Sequence, residues 1–120
     1  MPKALQILLV ACSLALCPFI TAQNLDVNFA HSGNDFLRIC DAPQKIAYLD
    51  GACTGYVQGV VEGADILVKQ PAFCPGPDVT LGQRFRIIVK FLKEHPEKTD
   101  KQTRYLVVEA MTAAFPCSDK

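Results

Sequence analysis

The stretch Asp50–Asp65, DGACTGYVQGVVEGAD, sets a glycine at every fourth position: Gly51, Gly55, Gly59 and Gly63. Phosphate binding does not explain it. A dinucleotide fingerprint needs G-x-G-x-x-G after a strand, and a P-loop needs lysine directly after its last glycine. A membrane helix dimer needs an apolar run of about 20 residues around its G-x-x-x-G, and Asp50, Gln58, Glu62 and Asp65 interrupt any such run. What remains is a water-exposed amphipathic helix, in which steps of four residues drift by only about 40° and keep the glycines on one stripe.

The flanking pattern supports that helix. From about Lys45 to Lys69, apolar residues recur at Leu49, Ala52, Cys53, Tyr56, Val60, Ala64 and Leu67, the three-and-four spacing of one buried face. Each interior glycine costs a helix roughly 0.8–1 kcal/mol relative to alanine, so the ladder costs about 3–4 kcal/mol. The expected compensation is close approach of a neighbouring backbone along the stripe, from a helix of this chain or of a second copy.

Working outward, Ser32 caps a short helix through NDFLRIC that turns Phe36, Leu37, Ile39 and Cys40 inward and stops before Pro43. Residues 70–79 carry Pro71, Pro75, Gly76 and Pro77 and read as a loop. Thr80 with Gln83 forms a capping box for a third helix with Leu81, Phe85, Ile88, Val89 and Leu92 inward, ended by His95-Pro96. Thr99 with Gln102 reads as a second capping box, before a fourth helix with Leu106, Val107, Ala110, Met111 and Ala114 inward. The fold class is all-α, a small bundle of about four helices.

The chain starts with Lys3, an apolar run from Ala4 to Leu16, Pro18 and a small residue at Ala22. This is the pattern of a secretory leader, residues 1–22, cut near Ala22 to release a helical domain of residues 23–120. The expected destination is the periplasm, without membrane attachment after cleavage. Export removes Cys12 and Cys17 and leaves Cys40, Cys53, Cys74 and Cys117 in an oxidising compartment, where they form two disulfides. Cys40 and Cys53 flank the first turn-around, and Cys74 and Cys117 lie at one end of the last helical hairpin. The expected pairs are therefore Cys40–Cys53 and Cys74–Cys117.

Twelve basic residues balance twelve acidic ones, which argues against nucleic acid as a partner. Neither G-x-S-x-G nor H-E-x-x-H occurs, and His31 and His95 sit at helix ends, so no catalytic residue is assigned. Without a C-x-x-C or a close Cys/His pair, no metal ligand or cofactor is assigned either. Binding is the default. The loop Gln70–Asp78 is the candidate contact: Phe73 as an aromatic anchor, on a backbone restricted by Pro75, Gly76 and Pro77 and ending at Asp78.

The ordered set SGNDFLRICD, ACTGYVQGVVEG, FCPGPDVTLGQ, VKFLKEHPEK and AFPC resembles the Rap/Tai family of periplasmic immunity proteins, which neutralise peptidoglycan amidase toxins of type VI secretion. The resemblance spans nearly all of residues 32–117. It implies an all-helical, often dimeric, non-enzymatic protein that covers the active-site cleft of an amidase effector. The alternative is an orphan envelope or stress protein, chaperone-like, on the same scaffold.

Overall fold

The computed structural model describes residues 31–43, 46–67 and 69–118. The leader, its cleavage point and the arm at 23–30 lie outside the described residues. Four α-helices form the bundle: α1 (Gly33–Cys40), α2 (Ala47–Leu67), α3 (Leu81–Glu94) and α4 (Thr103–Ala114), with a 3-10 turn at Pro96–Lys98 between the last two. No strand occurs among the described residues, only an isolated antiparallel bridge between Ser32 and Gln102.

Two of the three expected caps form. The Ser32 hydroxyl accepts from the Asp35 N–H at 3.2 Å and donates to the Asp35 carboxylate at 2.8 Å. Thr80 and Gln83 complete a reciprocal capping box at the start of α3. The box expected at Thr99 and Gln102 does not form: Gln102 caps α4 without a side-chain bond, and the Thr99 hydroxyl donates to the Pro96 carbonyl at 2.9 Å. Thr99 is consumed by the 3-10 turn, which the His95-Pro96 stop leaves in place of a plain loop.

The core joins Phe36 and Cys40 of α1, Cys53, Val57 and Val61 of α2, Ile88, Val89 and Leu92 of α3, and Leu106, Val107, Ala110 and Met111 of α4. On α2 the buried line is Cys53-Val57-Val61, and Tyr56, Val60 and Ala64 only flank it. The sequence reading centred the apolar arc one position too early, because the Tyr56-Val57 and Val60-Val61 doublets fit either register. Leu67, expected inward, is 85 % exposed.

The chain closes on itself where α1 begins. The N–H groups of Gly33 and Asn34 donate to the carbonyls of Lys101 (3.1 Å) and Thr99 (2.9 Å), and the Thr103 N–H donates to the His31 carbonyl (3.3 Å). Gly33 is buried here. A Cβ on it would lie 2.7 Å from a Leu106 methyl and 3.1 Å from the Thr99 backbone, so the crossing requires glycine. Disulfides join Cys40 to Cys53 and Cys74 to Cys117. The first ties α1 to α2, and the second ties the α2–α3 loop to the segment after α4.

Candidate partner-binding surface

The α2–α3 loop is anchored at Ala72 and at Cys74. The Thr112 hydroxyl donates to the Ala72 carbonyl at 3.1 Å, and the Cys74 N–H donates to the Phe115 carbonyl at 2.8 Å. Beyond the disulfide, the Val79 N–H closes a turn on the Gly76 carbonyl at 3.2 Å. Gly76, Pro77 and Asp78 are exposed and Pro75 is half-buried. The exposed tip thus stands on a tied base.

Phe73 is not part of that tip. It is 1 % exposed and belongs to the core, a correction to its reading as an outward anchor. In a bundle this small an aromatic ring beside a disulfide contributes more by burial than it would in water. Phe73, pointing inward, joins the disulfide in holding the base of the loop.

The glycine ladder also differs from expectation. A Cβ placed on Gly51, Gly55, Gly59 or Gly63 would meet nothing within 4 Å. The ladder therefore packs against no neighbouring helix of the described chain, which overturns the intramolecular half of that reading. It forms a bare outer face of α2. Near its ends stand Tyr48, 59 % exposed, and Ile66, 81 % exposed, with Leu67 beside the latter. These posts were not singled out from the sequence, although an 18-residue spacing, five whole turns, aligns them on one line.

Elsewhere the polar groups serve local structure. The Ser32 hydroxyl and then Arg38 hold the Asp35 carboxyl below the ordinary aspartate value. Glu97 is lowered by its own backbone N–H and then by His95, whose Nδ1 lies 3.1 Å from the carboxylate. The His95 ring also packs on Phe91, centroids 4.5 Å apart. An open groove of about 340 Å³ between α3 and α4 is lined by Ile87, Phe91 and Ala110, Ala113 and Ala114, with Lys90, Glu94 and His95. It holds no nucleophile with a base. No group of three His, Cys, Asp or Glu residues suited to a metal occurs among the described residues.

These features define a small disulfide-tied helical domain that presents surfaces to a partner. Residues 32–117 match the family of Rap1a immunity proteins. The chain belongs to that family, as the resemblance to Rap/Tai proteins implied, and membership makes it an immunity protein directed against a toxin, of a generally non-enzymatic kind. No curated protein and no solved structure matches the chain. No helix among the described residues is long and apolar enough to cross a membrane, and two disulfides accord with an exported protein.

Proposed function

We propose that the chain is exported to the periplasm, with its leader removed near Ala22, and there neutralises a peptidoglycan amidase effector of type VI secretion by occluding its active-site cleft. The observation that carries this reading is the family match over residues 32–117. The tied loop supplies a means: Gly76, Pro77 and Asp78 stand exposed on a base held by Cys74–Cys117 and the Cys74–Phe115 backbone bond. An element ordered before binding spends less of the interaction free energy on its own immobilisation. Pro75 and Pro77 restrict the same segment further.

The test is periplasmic expression of candidate amidase effectors with and without this chain. Wild type relieves lysis by its cognate amidase, and a variant lacking residues 1–22, kept in the cytoplasm, does not. Failure of wild type to relieve any amidase, together with binding of unfolded envelope proteins, favours the chaperone-like alternative. Pairing of two copies is the second reading of the partners, for which the uncovered glycine face of α2 leaves room. Sedimentation velocity at rising concentration tests it, and a single monomer species throughout rejects it.

A further inference from the structure

The two disulfides stand in opposite surroundings. Cys40 and Cys53 are both 0 % exposed and belong to the core that joins α1 to α2. Cys74 is exposed, Cys117 is half-buried, and neither lies in a helix. A thiolate breaks a disulfide only by reaching one of its sulfurs, so access decides which bond exchanges. Cys40–Cys53 admits that attack only when the core opens. Cys74–Cys117 is reached without such an opening.

The exposed bond also sits at the root of the exposed tip, since Gly76 follows Cys74 by two residues. Three further ties hold the chain here: Phe73 is buried, the Thr112 hydroxyl donates to the Ala72 carbonyl, and the Cys74 N–H donates to the Phe115 carbonyl. All three act at or before Cys74. Beyond it, the bond from the Val79 N–H to the Gly76 carbonyl closes the tip on itself and does not tie it to the bundle. Loss of the disulfide therefore frees the tip's root and the segment after α4, and leaves the helices joined through the core and Cys40–Cys53. The Cys74–Phe115 bond keeps the two cysteines together for reclosure.

We propose that Cys74 is a thiol-exchange site at which a dithiol reductant opens Cys74–Cys117 and thereby loosens the loop tip and lowers affinity for the amidase effector. This rests on the toxin-neutralising reading. One thiolate of the reductant attacks Cys74 Sγ, a mixed disulfide forms, and Cys117 leaves as a thiolate that takes up a proton. As a thiol it can donate to the Pro71 carbonyl oxygen, which lies 3.6 Å from Cys117 Sγ. The reductant's second thiolate then attacks its own sulfur in the mixed disulfide and releases Cys74, which is protonated in turn. Two electrons pass to the pair of cysteines, and the dithiol leaves as a disulfide.

The probe is dithiothreitol at mildly alkaline pH, with samples alkylated at intervals and mapped by mass spectrometry. Cys74 and Cys117 should be labelled about 100-fold faster than Cys40 and Cys53. The species alkylated at Cys74 and Cys117 alone, freed of reductant, keeps its helical circular dichroism and binds the purified amidase about tenfold more weakly, the added cost of ordering a loosened tip. Cys74→Ser/Cys117→Ser, which carries no alkyl groups, shows the same weakening, and reoxidised wild type regains full affinity. Equal labelling of all four cysteines overturns the proposal, as does loss of helix once Cys74–Cys117 alone is open. Relief of lysis by wild type with an unchanged Kd in the opened species and the serine variant removes the proposal alone. If wild type relieves no amidase, the toxin-neutralising reading falls and takes this proposal with it.

Discussion

Gly33 and the ladder of Gly51, Gly55, Gly59 and Gly63 put the same residue to opposite uses. At Gly33 the missing side chain is filled by Leu106 and Thr99 of the chain itself, and three backbone hydrogen bonds join the two crossing segments around it. On α2 the missing side chains leave open space. One glycine lets the fold close. Four others cost α2 roughly 0.8–1 kcal/mol each in propensity, with no packing in the described chain to offset it. Among the described residues the cost has no return in folding, which sets the ladder apart from Gly33.

The closed side should break hardest. Cys74→Ser/Cys117→Ser opens a loop of 43 residues, and the chain-entropy relation assigns such a loop about 4 kcal/mol. Chemical denaturation should show a loss of that order, with the tip at Gly76–Asp78 becoming the first protease-sensitive site. Loss of less than about 1 kcal/mol would mean that the core around Phe73 holds the loop unaided.

Gly33→Val comes next. A branched side chain must displace Leu106 and the Thr99 backbone, for an overpacking cost of about 1–3 kcal/mol. A urea midpoint equal to wild type would show that the crossing has room the structure does not reveal, and the contrast with the ladder would vanish.

How these two regions were legible differs in kind. Helix count, the loop and the Thr80–Gln83 box follow from local rules, and the family match agrees with the ordered motifs. The role of Gly33 was illegible because its neighbours Thr99 and Leu106 are remote in sequence. The α2 register failed for a different reason: two apolar doublets let a local pattern slide by one residue, and only the positions of α1, α3 and α4 choose Val57 and Val61. Phe73 was misplaced because an aromatic among prolines looks the same in sequence whether it faces a partner or the core. The exposed tip and the uncovered α2 glycines are properties of absent neighbours, which a one-dimensional pattern does not carry.

The smallest effect is electrostatic. The Ser32 hydroxyl and then Arg38 lower the Asp35 pKa in the folded chain. A lowered folded pKa stabilises above the unfolded value, near 4 by the usual aspartate figure of about 3.9, and that contribution is lost as pH falls through the folded pKa. Asp35→Asn should therefore flatten the acid limb of a stability–pH curve below about pH 4 and leave its neutral slope unchanged. An acid limb identical to wild type would remove Asp35 from the account.

On this account the α2 glycines contribute nothing to the packing of the described chain. Thermal unfolding of Gly55→Ala/Gly59→Ala at micromolar concentration tests it most directly. Two alanines at open helix positions should add roughly 1.6–2 kcal/mol, raising Tm by about 6–16 °C, at about 4–8 °C per kcal/mol for a domain of this size. A lower Tm would contradict the claim, since it would mean that the fold already uses the space these glycines leave.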